Sequence, residues 1–507
     1  MKYPRPQLKR AEWYPLDGEW MINGEPGRVP GCRTEEKLRY EKSFAFDKTK
    51  PTVILHFGAA DNLARVYLNG EYIGEHIGGY LPFSFDVSDK IGHENTLVVE
   101  VEDELDHTYP YGKQRKDRGG MWYTPVSGLW QSVWLEQLPS VYIADVKIKT
   151  DLLGADISVL LKGPEGESVK NERVNIENPE LWTPENPRLY THKLKYGDDE
   201  AEVYFGLRTV EARNVNGRPT VLLNGFPVFL HGVLDQGYFG KGLFVPEDVD
   251  AYEKDIKGVK ALGFNTLRKH IKIEPEEFYY EADRCGMLVI QDMVNSGEYR
   301  FFRDTVLGTL GFGYDDRHVK HDRRTEFFTE HCKETQDRLY NHPSVIAYTV
   351  FNEGWGQFDS DRHYRLLKER DPSRLYDSTS GWFARSESDF DSPHVYFRNK
   401  KLKPGVRPML LSECGGFTLD LGTGGRTYGY GKCSDKAALT GKIVSMYEKM
   451  VFPAVKAGLC GCIYTQLSDI EDEINGLFTS DRSEIKVLPE KMNEISRKLG
   501  EIMSEFR

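Results

Sequence analysis

Two glutamates stand where short apolar segments end, and paired carboxylates at such positions can do chemistry. Glu353 closes the segment Val345-Ile-Ala-Tyr-Thr-Val-Phe-Asn, and Glu413 closes Met409-Leu-Leu-Ser. A glycosidic bond is hydrolysed by such a pair, because one protonated acid protonates the leaving oxygen while an ionised carboxylate acts at the anomeric carbon. The spacing decides the stereochemistry, since the carboxyl groups lie about 5 to 5.5 Å apart in retaining enzymes and about 6.5 to 9.5 Å apart in inverting ones.

Further polar or aromatic residues lie at or just beyond the ends of apolar segments. They are His231, Asp235, Arg268, His270, Asp292, Asn352, Tyr396 and Gln466, with Trp355 and Trp382 slightly further on. If the segments are the strands of one barrel, these side chains meet at its carboxyl-terminal mouth. The alternative for either glutamate is a structural ion pair with Arg268 or Lys269, and for either tryptophan a packed core position.

The second half of the chain has the pattern of a (β/α)8 barrel. After about Thr209, short apolar segments alternate with longer amphipathic ones, which is typical of parallel βαβ units. Proline and acidic residues open two of the predicted helices, at Pro246 and Pro275. Eight segments are predicted as strands, the number that a closed barrel requires. They begin at Pro227, Asn265, Met287, Val345, Arg374, His394, Met409 and Gly461.

The first half of the chain lacks helical periodicity. Short β-rich segments separated by Asn-Gly and Gly-Gly turns predict a jelly-roll β-sandwich over residues 1–138. Residues 139–208 continue the alternation over an immunoglobulin-sized span and predict a second, smaller sandwich. The fold class is therefore multidomain β plus α/β, with the catalytic barrel over residues 209–507, and the jelly-roll loops are expected to buttress its mouth.

Composition excludes several classes of partner. The formal net charge of -12 argues against a nucleic-acid partner or an anionic membrane surface, and no stretch approaches the length of a membrane span. The polar amino terminus predicts a cytoplasmic protein. Cys460 and Cys462 form a C-x-C without a second ligand pair at zinc spacing, so neither a metal nor another cofactor is expected. The sequence leaves homo-oligomerisation open.

Five segments together resemble one enzyme family. Thr349-Val-Phe-Asn-Glu-Gly-Trp-Gly-Gln-Phe and Leu410-Leu-Ser-Glu-Cys-Gly-Gly are similar to the acid/base and nucleophile motifs of glycoside hydrolase family 2. That family contains β-galactosidases, β-glucuronidases and β-mannosidases, and its domain order matches the order predicted above. Supporting segments are Gly120-Met-Trp-Tyr-Thr-Pro-Val-Ser-Gly-Leu-Trp-Gln, Asn178-Pro-Glu-Leu-Trp-Thr-Pro-Glu-Asn-Pro and Leu262-Gly-Phe-Asn-Thr-Leu-Arg-Lys-His.

The resemblance implies a role for each of the main candidates. Glu353 would be the acid/base, Glu413 the nucleophile and Asn352 a hydrogen-bond partner of the sugar 2-hydroxyl. Tyr396 and His270 would line the sugar subsite, with Tyr396 either bonded to the nucleophile or simply packed at the mouth. The remaining candidates are expected to bind or orient sugar hydroxyls, or to stack on the sugar: Arg268, Asp235, Asp292, Gln466, Trp355 and Trp382.

One departure from the family bears on the substrate. Glucuronidases of the family hold the sugar carboxylate with an Asn-x-Lys near the last barrel loop, whereas the matching segment here is Glu471-Asp-Glu-Ile-Asn-Gly-Leu-Phe. Acidic residues there would repel a uronate, and Asn399-Lys400-Lys401 precedes the nucleophile and is expected to be a solvated loop.

The sequence therefore predicts a retaining exo-β-glycosidase that acts on a terminal neutral sugar of an oligosaccharide or glycoside, with β-galactoside as first choice. The alternatives are a β-glucuronide or another glycone, namely a glucoside, mannoside or arabinopyranoside. The alternative from another class is a non-catalytic carbohydrate-binding protein.

Overall fold

The computed structural model describes residues 2–308, 310, 312, 315–319, 321–396, 398–422 and 427–505. Its first part is a sandwich of two antiparallel sheets, with strand orders β3-β2-β4-β9-β6-β7 and β1-β10-β5-β8. The strands are β1 (Tyr14–Pro15), β2 (Gly18–Ile22), β3 (Glu25–Val29), β4 (Lys37–Ala45), β5 (Thr52–Phe57), β6 (Leu63–Leu68), β7 (Glu71–Ile77), β8 (Phe83–Asp86), β9 (Glu94–Glu102) and β10 (Val133–Leu138).

Alternation along the strands explains why this part folds as a sandwich. In β9, Leu97, Val99 and Val101 are buried and the residues between them are not, so one face of the strand packs into the core. Asn69 and Gly70 both adopt positive φ between β6 and β7, at 54° and 83°, as a tight hairpin turn requires.

A smaller β unit follows the first sandwich. It consists of a three-stranded and a two-stranded antiparallel sheet around a core that contains Ile157, Leu194 and Val203. The strands are β11 (Tyr142–Thr150), β12 (Gly154–Gly163), β13 (Gly166–Asn175), β14 (Tyr190–Tyr196) and β15 (Asp199–Phe205). We propose the domain boundaries at 138/139 and 208/209, which fall in the connections before β11 and after β15.

A three-stranded sheet that the sequence did not predict precedes the barrel. It comprises β16 (Val210–Val215), β17 (Arg218–Leu223) and β18 (Phe226–Pro227). Val221 and Leu223 share a buried cluster with Leu230 and Leu410, which lie near the amino ends of barrel strands. The sheet therefore covers that end of the barrel, and the first barrel strand begins at Leu230 instead of the predicted Pro227.

Eight parallel strands form the nearly closed barrel, as predicted. The barrel strands are β19 (Leu230–Asp235), β20 (Thr266–Lys269), β21 (Leu288–Asp292), β22 (Val345–Asn352), β23 (Leu375–Ser380), β24 (His394–Val395), β25 (Met409–Gly415) and β28 (Leu459–Thr465). Two further strands, β26 (Phe417–Leu419) and β27 (Tyr430–Cys433), lie outside the barrel sheet. Seven consecutive pairings connect the eight in the order β23-β22-β21-β20-β19-β28-β25-β24, while β26 and β27 pair separately. Within the described part of the chain no ladder joins β23 to the two-residue β24.

Seven α-helices accompany the barrel in the described residues. They are α1 (Ala251–Ala261), α2 (Glu276–Cys285), α3 (Arg323–Leu339), α4 (Ser360–Arg370), α5 (Lys436–Met446), α6 (Phe452–Ala457) and α7 (Pro489–Ser504). The helix predicted from Pro246 begins later, because the Asp248 carboxylate accepts the backbone N–H of Asp250 and holds a turn there. None of the helices within the described ranges is long and apolar enough to cross a membrane.

The first sandwich packs directly on the mouth of the barrel. Trp122 and Trp130 from the sandwich share one buried cluster with Trp355 and Phe244 of the barrel. Trp122 meets Trp355 edge to face, with ring centroids 5.0 Å apart. Loops of the first domain are therefore within reach of the residues at the strand ends.

Candidate active site

Glu413 lies near the end of β25 and is held from several sides. Arg268 Nη1 donates to Glu413 Oε1 at 3.0 Å, and the Tyr396 hydroxyl donates to Glu413 Oε2. Burial alone would raise the pKa of the Glu413 carboxyl, but the charges of His394 and Arg268 outweigh burial and lower it to about 2. Glu413 is therefore an ionised, oriented carboxylate at neutral pH.

Arg268 is fully buried and orients the groups around it. Its Nε donates to Asp292 at 3.0 Å, its Nη2 donates to Asn352 Oδ1 at 2.9 Å, and its Nη1 also donates to the Ser412 carbonyl at 3.0 Å. Arg268 thus makes the ion pair that was the structural alternative for Glu413, and the same pair keeps that carboxylate ionised. Because its exposed fraction is 0%, Arg268 acts on the site through Glu413 and Asn352 and is enclosed by them.

Glu353 follows β22 and is more open than Glu413. Its side chain is 14% exposed, against 7% for Glu413. Glu353 has a left-handed backbone conformation with φ 52°, and its N–H donates to the Ser380 carbonyl at 2.9 Å. A non-glycine residue at positive φ is strained and such residues cluster at functional sites, so the backbone here is bent to aim this carboxylate.

His394 connects the two glutamates and was not among the predicted site residues. Its Nδ1 is hydrogen-bonded to Glu353 Oε1 at 2.8 Å, and its Nε2 lies 2.9 Å from Ser380 Oγ and 3.5 Å from Glu413 Oε1. The sequence carried a signal for it, because His394 opens the predicted sixth strand. It was missed because that strand is only two residues long and its amino end already lies at the mouth.

The two carboxylates lie close together. One oxygen of Glu353, one nitrogen of His394 and one oxygen of Glu413 all lie within 4.8 Å of one another. A close pair of carboxylates is the arrangement of retaining enzymes, whose carboxyl groups lie about 5 to 5.5 Å apart. The same three atoms are close enough to hold a cation, as are one atom each of Glu253, Glu281 and Cys285 at the outer helices. Each of the four carboxylate groups already bonds a neighbour.

Asn352 and His270 each have one polar side-chain atom without a hydrogen-bond partner among the described residues. Asn352 Oδ1 accepts from Arg268, and no described residue is hydrogen-bonded to the Asn352 amide nitrogen. His270 Nδ1 is bonded to Asp292 Oδ2 at 2.6 Å, so Asp292 orients this ring. Burial, with the charge of Lys113, lowers the pKa of His270 and keeps the ring neutral.

The two predicted tryptophans occupy different places. Trp355 is 3% exposed and its Nε1 donates to the Gly297 carbonyl at 2.7 Å, so it is a packed residue under the first domain. Trp382 is partly exposed and meets His394 edge to face at 5.7 Å. Trp382 therefore borders the two carboxylates and Trp355 does not reach them directly.

Asp235 and Gln466 also differ in position. Asp235 is buried and binds Lys269 Nζ at 2.6 Å, on the face of the sheet opposite to Arg268. Gln466 follows β28, and its Oε1 accepts from Gln236 at 2.9 Å. The buried Gln466 amide nitrogen has no hydrogen-bond partner in the described part of the chain. His231 is bonded to Tyr447 and to the Gly263 carbonyl near the other end of its strand.

The first domain contributes a loop to the mouth. Gly112 N donates to the Asn295 carbonyl after β21, and the Tyr123 hydroxyl donates to Glu473 after β28. The loop between them carries Lys113, whose charge lowers the pKa of both Glu413 and His270. The motif that begins at Gly120 marked this region in the sequence, but it was expected only to buttress the mouth.

The acidic loop after β28 is hydrogen-bonded to the same loop of the first domain. Glu471 accepts from Arg118 Nη1 at 3.0 Å and from the Thr124 N–H at 3.0 Å. Glu473 accepts from Tyr123 and from Asn475 Nδ2 at 3.0 Å, and burial raises its pKa. The acids that were expected to repel a uronate are therefore bound to neighbouring groups.

Comparison with protein families gives three matches along the chain. Residues 32–129 match the glycosyl hydrolase 2 galactose-binding domain-like model, residues 142–208 the glycosyl hydrolases family 2 model, and residues 215–416 its TIM barrel domain. Together these matches cover most of the chain and follow the order of its three parts.

Curated relatives with similar sequences have two kinds of name. A beta-galactosidase of Thermoanaerobacter pseudethanolicus is 26% identical over 374 residues, which is 65% of this chain and 46% of that protein. A beta-glucuronidase of Streptococcus agalactiae serotype V is 27% identical over 386 residues, 66% of this chain and 62% of that protein. The chain spans about half the length of the curated relatives it matches.

Solved structures share the fold over the whole chain. A beta-D-glucuronidase from Dictyoglomus thermophilum superposes with TM-score 0.76 at 20% identity and covers 99% of both chains. A GH2 beta-galacturonidase from Eisenbergiella tayi, bound to galacturonate, superposes with TM-score 0.74 at 17% identity and covers 97% of this chain and 98% of that one. At these identities the likeness shows the fold.

Proposed function

The chain belongs to glycosyl hydrolase family 2 and is a glycoside hydrolase; on that premise we propose that it is a retaining exo-β-glycosidase, with Glu413 as nucleophile and Glu353 as acid/base. The observation that carries the proposal is the arrangement of the two carboxylates. Both lie at strand ends on the barrel mouth, within 4.8 Å of each other through one oxygen each, and their surroundings differ.

The two glutamates divide the work according to those surroundings. Arg268 and Tyr396 bind one Glu413 oxygen each, so Glu413 is aimed and ionised for attack on the anomeric carbon. Glu353 is the more exposed of the two and has His394 as its hydrogen-bond partner, so it is placed to exchange a proton with the leaving group and with water.

The reaction runs in two displacements. Glu413 forms a bond to the anomeric carbon as the bond to the leaving oxygen breaks, and Glu353 gives that oxygen its proton. A water molecule then attacks the same carbon, Glu353 takes the proton from it, and Glu413 departs as a carboxylate. Two inversions leave the configuration of the sugar retained.

The sugar hydroxyls would be bound by atoms that the protein leaves open. We assign the 2-hydroxyl to the Asn352 amide nitrogen, whose orientation is fixed by Arg268. The His270 ring nitrogen opposite Asp292 and the Gln466 amide nitrogen are the next candidates. Trp382 offers the sugar an aromatic surface, while Asp292, Arg268 and Tyr396 orient the groups that touch it.

The nature of the glycone is the part on which sequence and comparisons differ. The neutral-sugar prediction, with β-galactoside first, depended on repulsion of a uronate by Glu471 and Glu473. Both carboxylates are hydrogen-bonded to the first domain or to their own loop, so that repulsion is weakened. The relatives carry the names of both neutral and acidic glycosidases, and β-galactosides and β-hexuronides are therefore the substrates to compare.

Chemical rescue tests the assignment of the two glutamates. The substrates are 4-nitrophenyl β-galactoside, β-glucoside, β-glucuronide, β-galacturonide, β-mannoside and α-arabinopyranoside, with wild type, Glu353→Ala and Glu413→Ala in the presence of azide. We expect a glycosyl azide of inverted configuration from Glu413→Ala and one of retained configuration from Glu353→Ala, because azide takes the place of the nucleophile in the first variant and of water in the second.

Two results would contradict the proposal. Azide products of the same configuration from both variants would remove the assigned roles, and exchanged configurations would reverse them. Tight binding of the glycosides by folded wild type without release of nitrophenol would favour the carbohydrate-binding alternative. The cytoplasmic location stays a prediction from the sequence, and homo-oligomerisation stays open.

A further inference from the structure

Lys113 is held rigidly at the barrel mouth by a loop of the first domain. The N–H groups of Tyr111 and Gly112 both donate to the Asn295 carbonyl, at 3.1 and 3.2 Å, and the Lys113 carbonyl accepts from the Tyr123 N–H at 2.9 Å. Gly112 has φ 70°, and a Cβ there would lie 2.9 Å from the Ile271 carbonyl oxygen. Only glycine permits this close approach, which sets Lys113 beside the segment that carries His270.

The side chain of Lys113 is half-buried and uncommitted. Across the ranges that the structure describes, no carboxylate lies within ion-pairing distance of its ammonium group. Three other cations near the mouth are engaged: Arg268 with Asp292 and Glu413, Lys272 with Glu274, and Arg118 with Glu471. An ammonium group without an ion-pair partner can bind an anionic ligand as a point charge.

The backbone contacts place Lys113 beside the segment that carries His270, and the groups that feel its charge agree with that position. Those groups are Glu413, His270 and Glu473, which belong to the ends of β25 and β20 and to the loop after β28. They surround the place where the sugar must lie for Glu413 to reach its anomeric carbon.

We propose that Lys113 binds a negatively charged substituent of the sugar in the active site, so that the preferred substrates are acidic β-glycosides. The inference rests on the proposed function and specifies its substrate class. The substituent is the carboxylate of a hexuronic acid or a sulfate ester, both of which an ammonium binds as a point charge. Recognition then comes from the first domain, in the absence of an Asn-x-Lys in the last barrel loop.

The experiment compares acidic and neutral glycosides that differ at one position. We would measure kcat/KM for the 4-nitrophenyl β-D-galactoside, β-D-galacturonide and 6-sulfo-β-D-galactoside, and for the glucoside and glucuronide, with wild type and Lys113→Gln. We expect the ratio of acidic to neutral kcat/KM to fall about 10- to 100-fold in Lys113→Gln, which is the loss of one charged hydrogen bond. The uronide and sulfo substrates identify which anion is bound.

Lys116→Gln is the matched control. Lys116 belongs to the same loop, but it is exposed and paired with Glu36, so its removal should leave the ratio and the activity unchanged. Thermal unfolding of both variants checks that the loop remains folded. An unchanged ratio in Lys113→Gln would overturn the proposal, as would an equal fall for acidic and neutral substrates, because Lys113 would then act only through Glu413.

Calorimetry of the binding of free sugars distinguishes a failure of the Lys113 proposal from a failure of the proposed function. We expect wild type to bind free galacturonate or glucuronate more tightly than galactose or glucose, and Lys113→Gln to lose that preference. If wild type hydrolyses no glycoside, the proposed function fails, and binding of the free acids still decides the role of Lys113. If it hydrolyses neutral glycosides best and shows no preference for the free acids, the proposed role of Lys113 is wrong and the proposed glycosidase function still holds.

Discussion

Two neighbouring basic residues of β20 build opposite kinds of site. Arg268 belongs to an inner cluster with Asp292, Asn352 and Glu413, and Lys269 belongs to an outer cluster with Asp235, Glu274 and Lys272. Both basic side chains are completely buried, and both make ion pairs of 3.0 Å or less. Successive residues of a strand point to opposite faces, so the two clusters never meet.

The clusters differ in what they leave open. In the outer cluster Lys269 lies 4.6 Å from the Phe278 ring centroid and Lys272 4.4 Å from that of Phe244, so aromatic rings close it off. In the inner cluster the Asn352 amide nitrogen stays unbonded among the described residues, and Glu353 beside it reaches solvent. Burial and ion pairing therefore do not distinguish the inner cluster from the outer one. The unbonded amide nitrogen of Asn352 and the partly exposed carboxylate of Glu353 do.

The largest expected effect is on turnover in the inner cluster. Glu413→Ala removes the carboxylate that attacks the anomeric carbon, so kcat should fall by on the order of 10⁴-fold or more. The melting temperature should change by only a few degrees, because Arg268 keeps its bonds to Asp292, Asn352 and the Ser412 carbonyl. Steady-state assays with thermal unfolding on the same sample measure both. Activity within tenfold of wild type would place the nucleophile elsewhere.

The outer cluster should respond in the opposite way. Lys269→Met leaves Asp235 and Glu274 buried without their shared cation, so the free energy of unfolding should fall by about 3 to 5 kcal/mol. We expect kcat per folded molecule to stay within about twofold of wild type. Denaturant titration gives the first quantity and active-site titration the second.

Lys257→Met is the control for the outer cluster. It removes an exposed partner of Glu253 on α1 and should leave the free energy of unfolding nearly unchanged, because solvent screens exposed ion pairs. A loss of kcat in Lys269→Met without loss of stability would show that the two clusters are coupled, contrary to the comparison.

A smaller effect is expected from one hydrogen bond within the inner cluster. Tyr396→Phe removes the hydroxyl that donates to Glu413 Oε2, and kcat/KM should fall about 10- to 100-fold. The phenyl ring preserves the packing against Tyr430, so stability should barely change. A fall in stability with unchanged kcat/KM would make Tyr396 a packing residue, which is the alternative that the sequence left open.

The smallest change is expected in the pH profile. Glu413 must be ionised to attack, so activity is present above the pKa of Glu413 and is lost as the pH falls through it. The charge of His394 lowers that pKa, and His394→Gln should therefore raise it and move the acid limb of kcat/KM to higher pH. We expect a fall of about 10-fold in kcat at neutral pH, since Glu353 loses its partner. An acid limb that stays in place would exclude His394 as the group that holds Glu413 ionised.

Much of the fold could be predicted from the sequence because its signals are local. Each of the eight barrel strands is an apolar segment of its own, and all eight were found, with the ends of β19 and β24 as the weak points. The sheet β16–β18 was missed because its apolar residues near Val221 were assigned to the barrel, together with everything after about Thr209. Local apolarity reports that a segment is buried, but it does not report which layer buries it.

The candidate site could be predicted only in part. The positions of Glu353 and Glu413 at strand ends, with the residues around them, were enough to predict glycoside hydrolysis and to identify the family. Sequence alone did not distinguish Asp235 from Asp292, because both are acids that close apolar strands. The structure separates them, since Asp235 pairs with Lys269 and Asp292 with Arg268.

The sequence by itself determined that this chain builds a β-rich first half, an eight-stranded barrel and two carboxylates at its mouth, because periodicity and strand ends are written locally. Only the tertiary structure decided which face each charge occupies, that His394 bridges the two glutamates, and that the loop carrying Lys113 packs on the barrel mouth from another domain. Those features depend on strand register and on contacts between residues hundreds of positions apart, and neither leaves a mark in a short stretch of sequence.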